Sequence, residues 1–244
     1  MTKNEVCLLT GVGGSIAVHL LAHIMKNTDW HVVGIDSFRH KGWTDRVNMV
    51  FDTHPDWRER ITIITHDLTA PFSELTKKKI GKIDYLISMA SLSDVEASIK
   101  DPVTVIQNNV SLITNLLEYA RELKPKVFLQ VSTDEVYGPT TGKDMGYVEW
   151  SAIVPSNPYS ASKACQEAIC VSYWRTYNVP LIIVNMMNNF GEMQSASKYP
   201  VMIQKAVAKG EEIIIHGDDT GIGSRSYIHS RNASDAILFI IKNL

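Results

Sequence analysis

An α/β fold built on a doubly wound parallel sheet is what this sequence predicts, on three observations. Short apolar runs alternate with longer amphipathic stretches, the rhythm of repeated βαβ units. The short runs are nearly continuous in Val, Ile and Leu, as parallel strands covered on both faces require. A glycine-rich turn, Thr10-Gly11-Val12-Gly13-Gly14-Ser15-Ile16-Ala17, joins the first short run to the first amphipathic stretch.

Taken in order, residues 6–10 read as a strand, 16–26 as a helix and 30–36 as a second strand. Residues 61–66 and 85–89 are further strands, followed by a long helix over 103–123 and a strand over 127–132. A second long helix covers 158–177, a strand covers 181–185, and 235–244 reads as a helix. The long helices have marked starts at Asp101-Pro102 and Ser156-Asn157-Pro158, where a capping side chain precedes proline in the first turn. Between Gly138 and Asn157 the composition turns polar and loop-like.

Composition narrows the function. With 244 residues, 45% of them hydrophobic and 20% charged, the chain can bury a large core as one domain, or as a domain with a small lobe. A formal net charge of -2 gives no basic footprint for nucleic acid and no polybasic membrane anchor, so the expected partner is a small molecule. The start, Met1-Thr2-Lys3-Asn4-Glu5, leads into an apolar strand without the basic flank and hydrophobic stretch of a signal peptide. No apolar run approaches the ~20 residues needed to span a bilayer. Cys7, Cys165 and Cys170 form no Cys-x-x-Cys pair. Buried, reduced thiols, no metal site and a cytoplasmic location are expected.

The glycine turn fits Gly-x-x-Gly-x-x-Ala, with Gly11, Gly14 and Ala17 in the spaced positions. Small residues where a strand meets a helix let the backbone approach a pyrophosphate at the helix's positive end, which makes Gly11, Gly14, Ser15, Ile16 and Ala17 candidate cofactor contacts. The alternative is a turn that merely packs tightly. Asp36 ends the second strand, where an acidic residue accepts hydrogen bonds from the adenosine ribose, and this favours NAD over NADP. Arg39 and His40 follow closely and offer the opposite reading, contact with a 2′-phosphate. Asp67 and Leu68 either flank the adenine or form an ordinary strand exit.

Two further segments carry chemistry: Ser132-Thr133-Asp134-Glu135-Val136-Tyr137-Gly138 and Tyr159-Ser160-Ala161-Ser162-Lys163. A hydroxyl, two adjacent carboxyls, a phenol and an amine can move protons around a sugar or alcohol once a fold unites them. Tyr159 and Lys163, four apart on one helix, share a face, so the ammonium is expected to lower the phenol's pKa. The same spacing also occurs on solvated helix faces. Asp134 and Glu135 read either as a solvated loop pair or, in a partly desolvated cleft, as one protonated and one ionised carboxyl.

Together these motifs resemble the extended short-chain dehydrogenase/reductase family of nucleotide-sugar epimerases and dehydratases, from Val6 to the C-terminus. Within it the segment 132–138 looks most like the 4,6-dehydratases acting on dTDP-glucose and related sugars, because of its two carboxyls. Epimerases usually carry small or hydroxyl residues there, and related decarboxylases and GDP-mannose dehydratases typically keep only the glutamate. The resemblance implies a Rossmann fold. It implies an NAD-binding domain with the catalytic residues over 1–180, and the last core strands with a partial substrate lobe over 181–244. Relatives continue past the equivalent of Leu244, so a small or truncated C-terminal lobe is expected.

The resemblance also implies NAD, contacted by Tyr159 and Lys163 as well as the turn, an NDP-sugar substrate, and a homodimer joined through the helices from about Val103 and Pro158. By the same likeness, Tyr159 removes the sugar 4-hydroxyl proton as hydride leaves C4, and Thr133 hydrogen-bonds the 4-oxygen. Glu135 then takes the C5 proton, and protonated Asp134 donates to the departing 6-hydroxyl. Asn109 occupies the family's helix asparagine position, and Asn188 and Asn189 match the segment meeting cofactor and sugar nucleotide. Lys198 and Arg225 match contacts to the diphosphate or nucleotide end.

Three departures bear on substrate choice. Ser88-Met89-Ala90-Ser91-Leu92-Ser93-Asp94 replaces the dehydratases' usual His-x-Ala-Ala-Glu-Ser-His pattern, Asn185 stands where arginine is common, and Ser226 follows Arg225 where aspartate is usual. The leading expectation is an NAD-dependent nucleotide-sugar 4,6-dehydratase. The rival is a 4-epimerase or decarboxylase using the same Tyr159-Lys163 oxidation. The reading from a different class is an NAD-binding structural or regulatory protein with little turnover.

Overall fold

β1 (Val6–Thr10) lies at the centre of a six-stranded sheet, with α1 (Ala17–Asn27) leading from it to β2 (His31–Asp36). The chain continues through α2 (Thr44–Thr53), β3 (Ile61–Thr65), α3 (Glu74–Ile80), β4 (Tyr85–Ser88), α4 (Val95–Lys100) and α5 (Pro102–Leu123). It then forms β5 (Val127–Thr133), α6 (Pro158–Tyr177) and β6 (Leu181–Met186). The computed structural model describes residues 4–39, 43–140, 146–215, 217–218 and 221–244.

The sheet order is β3-β2-β1-β4-β5-β6, and every neighbouring pair is parallel. The fold is therefore the Rossmann-type doubly wound α/β arrangement. Strand order reverses between β1 and β4, so their C-terminal ends flank a crevice suited to ligand binding. Alternate side chains feed two cores. Cys7, Leu9, Val32, Ile87 and Leu129 face α1 and α2, while Leu8, Val33, Leu86 and Phe128 face α3 and α5. Each fully buried Leu or Ile stabilises the fold by about 1.5–3 kcal/mol, which explains why the strands read as unbroken apolar runs.

Beyond the sheet lie β7 (Asn188–Phe190), α7 (Tyr199–Lys209), β8 (Gly217–Asp218), β9 (Gly221–Ile222), β10 (Tyr227–His229) and α8 (Ser230–Lys242). β10 pairs in parallel with β7 above the sheet's C-terminal edge, and β8 pairs with β9. α8 starts five residues before the expected 235, because the His229 ring accepts the Arg231 N–H and caps it there. Through Ile237, Leu238 and Ile241 this helix joins the core that α1 occupies.

Cys7 and Cys170 are buried as expected, whereas Cys165 is exposed. The inner stripe of α6 is taken by Lys163, Gln166, Glu167 and Cys170 at helical spacing, which turns residue 165 outward. Among the described residues no helix is long and apolar enough to cross a membrane.

Candidate active site

The glycine turn is built by close approach. Gly11 has φ +70°, and a Cβ there would sit 2.9 Å from the Ala90 Cα, so an L side chain is excluded twice over. The Thr10 hydroxyl accepts the N–H groups of Met89 (3.0 Å) and Ala90 (3.2 Å), which ties the exit of β4 to the turn. Asp36 accepts the Gly13 N–H at 3.0 Å and the Phe38 N–H at 2.9 Å, so its carboxylate is fixed at the rim. α1 begins with no side-chain cap and no acidic residue in its first turn. The positive end of its dipole thus opens beside Ser15, Ile16 and Ala17 without an acidic side chain to offset it.

These residues line one cavity of about 420 Å³, together with Gly11, Gly14, Asp36, Asp67 and Leu68. The residues expected to contact the cofactor from the glycine turn, Asp36 and the exit of β3 are thus all on its wall. Arg39 forms an ion pair with Asp67, which commits the cation expected to compete for a 2′-phosphate. His40, its companion in that reading, lies outside the described residues.

The catalytic wall comes from β5 and α6. β5 ends at Thr133 and a short 3-10 helix carries Asp134–Tyr137, closed by Gly138 at φ +83°. A Cβ on Gly138 would lie 2.5 Å from the Val154 carbonyl oxygen, so only glycine lets the following loop pack there. α6 starts at a capping box: Asn157 Oδ1 accepts the Ser160 N–H at 2.8 Å, and the Ser160 hydroxyl accepts the Asn157 N–H at 3.2 Å. The same Asn157 donates its amide to Glu135 Oε2 at 3.1 Å. One residue therefore starts the helix bearing Tyr159 and orients the carboxylate opposite it.

Thr133, Glu135, Tyr159 and Lys163 all line the cavity, and so do Asn188, Asn189 and Lys198. Asp134 and Arg225 are not on its wall. Asp134 is half-buried behind Thr133, whose hydroxyl donates to Asp134 Oδ1 at 3.3 Å and accepts the Glu135 N–H. Burial raises the Asp134 carboxyl above its usual range; Thr133 and Arg225 pull it down and Glu135's charge pushes it up. Arg225 is exposed and exerts an electrostatic influence on Asp134.

The expected lowering of the Tyr159 phenol is not what the structure gives. Burial, and then the charges of Glu135 and Asp134, push it up. The Lys163 amine is instead engaged by the Val131 carbonyl and Gln166 Oε1, each at 2.7 Å. Burial draws Lys163 itself down to about 8.

Sequence reasoning missed Arg46, Asn108, Gln194 and Tyr227, which also line the cavity. Arg46 is 3% exposed, and it donates to the carbonyls of Gly13 (2.8 Å) and Met193 (3.0 Å), bolting the glycine turn to the segment after β7. Its signal was a charge on the buried face of α2, in line with Val47, Val50 and Phe51. The atypical 88–94 segment supplies Ser91, Leu92 and Ser93 to the wall. Asn109 holds it by accepting the Leu92 N–H (2.9 Å) and donating to the Leu92 carbonyl (3.1 Å). Asn185 donates to Glu167 Oε1 at 2.7 Å.

The crevice at the strand-order reversal, the glycine turn and the Tyr159/Lys163 face agree with the sequence match, which runs over residues 7–244 to the NAD dependent epimerase/dehydratase family. This chain belongs to that family. Among its relatives, the low-salt glycan biosynthesis protein Agl12 of Haloferax volcanii is 32% identical over 95% of this chain and 72% of its own length. The dTDP-glucose 4,6-dehydratase of Neisseria meningitidis serogroup B is 30% identical over 96% of this chain and 66% of its own. The solved DesIV dTDP-glucose 4,6-dehydratase from Streptomyces venezuelae, with NAD and TYD bound, matches with a TM-score of 0.86 at 25% identity, covering 97% of this chain and 72% of that one. A UDP-N-acetylglucosamine 4-epimerase from Methanobrevibacter ruminantium M1 matches with a TM-score of 0.82 at 26% identity, covering 98% and 73%. The epimerase/dehydratase chain described here spans roughly two thirds of the length of these curated relatives.

Proposed function

We propose that this protein is an NAD-dependent nucleotide-sugar 4,6-dehydratase, converting an NDP-hexose to its 4-keto-6-deoxy form. The Asp134-Glu135 pair carries the reading. Glu135 is on the cavity wall, tethered to Asn157 at the start of the Tyr159 helix, and burial biases Asp134 toward its protonated form. Two carboxyls whose surroundings differ in this way suit one base and one acid.

The residues present fit NAD. Gly11 and Gly14 open the backbone, the uncapped start of α1 suits a diphosphate, and Asp36 suits ribose hydroxyls. When bound, NAD supplies the hydride acceptor at C4 and the donor at C6. Tyr159 takes the 4-hydroxyl proton, Thr133 hydrogen-bonds the 4-oxygen, Glu135 removes the C5 proton and returns a proton there as C6 is reduced, and Asp134 protonates the leaving 6-hydroxyl. Asn188, Asn189 and Lys198, on the cavity wall, belong to the sugar-nucleotide side, and Arg225, off that wall, contributes its charge. Titration calorimetry is expected to give tighter binding of NAD⁺ than of NADP⁺, because the Asp36 carboxylate repels a 2′-phosphate and Arg39 is already paired with Asp67. Tighter NADP⁺ would reverse the Asp36 assignment.

A 4-epimerase is the second reading, favoured by the Ser91-Leu92-Ser93 wall in place of the dehydratase pattern and by the solved 4-epimerase sharing this fold. Incubation with a panel of NDP-hexoses and NMR identification of products separates the two. A 4-keto-6-deoxy product supports dehydration; an unchanged oxidation level with inverted C4 supports epimerisation.

The reading includes a homodimer through α5 and α6. Val103, Ile106, Trp174 and Tyr177 are apolar or aromatic side chains exposed on these helices, as a helical interface needs. Light scattering at micromolar concentration is expected to return twice the chain mass; a monomer throughout would remove this part of the reading.

A further inference from the structure

The amine of Lys163 sits in a net of neutral amides. Gln166 is fully buried on the next turn of α6, and its Oε1 accepts from Lys163 Nζ at 2.7 Å and from Gln130 Nε2 at 3.0 Å. Its Nε2 donates to the Asn109 carbonyl at 2.8 Å. Gln130, fully buried on β5, also donates to the Val131 carbonyl, the second acceptor of the Lys163 amine. Asn109 carries the net onward, since its side chain holds Leu92 in the cavity wall and donates to the Ser162 hydroxyl at 2.8 Å. β5, α5 and α6 thus converge on one amine.

An unpaired buried amide group costs about 1–3 kcal/mol. Among the described residues Gln130 Oε1 finds no partner, whereas both ends of the Gln166 amide are paired. The pairing dictates its geometry: with Nε2 on α5 and Oε1 between β5 and the amine, the carbonyl has one direction available. The titratable groups that influence the amine are Cys170 and Glu167, both on its own helix. Glu167 Oε1 is occupied by the Ser132 hydroxyl and the Asn185 amide. β5 and α5 present Gln130, the Val131 carbonyl and Asn109, none of which ionises.

We propose that Gln166 is the positioning residue for Lys163, its amide locked by Gln130 and Asn109 so that a neutral carbonyl fixes the direction of the amine and helps it carry charge despite its burial. This rests on the reading of Lys163 as part of the active site. Burial draws the amine down to about 8, as expected of a buried ammonium facing uncharged acceptors.

The test uses the full chain labelled with ¹⁵N-lysine, following the Lys163 Nζ resonance from neutral to alkaline pH. Gln166→Glu keeps the side-chain shape, gives up the donor to the Asn109 carbonyl and adds a carboxylate against the amine, and is expected to raise the titration midpoint by about 1–3 pH units. Gln166→Met removes the acceptor and is expected to lower it. The alkaline limb of kcat/KM with the NDP-hexose should follow the same order. If Gln166→Met does not fold, as its circular dichroism reports, Gln166→Glu decides alone. An unchanged Nζ midpoint in folded Gln166→Glu overturns the proposal. The resonance reads out whether or not any NDP-hexose is turned over, so failure of the dehydratase reading is seen separately, as absence of product with the Nζ shift intact.

Discussion

Tyr159→Phe is expected to reduce turnover by about 10²–10⁴-fold, the usual contribution of a positioned acid-base group, while the fold and NAD⁺ binding stay intact. The change removes one hydroxyl and leaves the ring. It also spares the anchoring bond from the Tyr159 N–H to the Ser98 hydroxyl at 3.2 Å, because that bond is made by backbone. Burial and the nearby Glu135 and Asp134 raise the phenol's proton affinity, so tyrosinate forms only with help from positive charge. Lys163 is the buried cation one helical turn away, which makes the pair's function depend on where the amine is held. The check is product formation by NMR beside calorimetric NAD⁺ binding. A folded Tyr159→Phe protein that makes product at the wild-type rate would remove Tyr159 from the mechanism.

The strands were legible because both faces of the sheet are covered, so Leu8 and Leu9, or Leu86 and Ile87, had to be apolar in succession. α2, α3 and α4 were not legible, since they have only 10, 7 and 6 residues and leave much of their surface in solvent. At the site, Gly11 was readable because no other residue meets both its backbone angle and its distance to Ala90. The helical spacing of Tyr159 and Lys163 gave their shared face. It did not give the direction of the phenol's shift, which depends on burial and on carboxylates contributed by a different segment. The separate roles of Asp134 and Glu135 came from the resemblance, since their adjacency in sequence does not say which is more buried; the 3-10 helix sends one behind Thr133 and the other to the cavity. Gln130 and Gln166 left no pattern at all, because a buried glutamine is recognisable only once its partners across β5, α5 and α6 are known.

Replacing the two carboxyls separately is expected to split the dehydration into its steps. Glu135→Gln keeps an oxygen for the Asn157 amide, now 3.1 Å from Glu135 Oε2, and Asp134→Asn keeps an acceptor for the Thr133 hydroxyl, so neither should disturb the NAD⁺ site. Each should slow water loss by roughly 10²-fold or more. Their isotope signatures differ. In heavy water an NDP-hexose gains deuterium at C5 with the wild-type protein, because the 4-ketone acidifies that position and a base removes the proton. Glu135→Gln loses this exchange, since it lacks the base on the cavity wall. Asp134→Asn retains the exchange and fails to expel the 6-hydroxyl, since it lacks the carboxyl that burial biases toward protonation. NMR of the recovered sugar distinguishes all three proteins. If the wild type inverts C4 without exchange at C5, Glu135 is not a C5 base, and the site is that of a 4-epimerase.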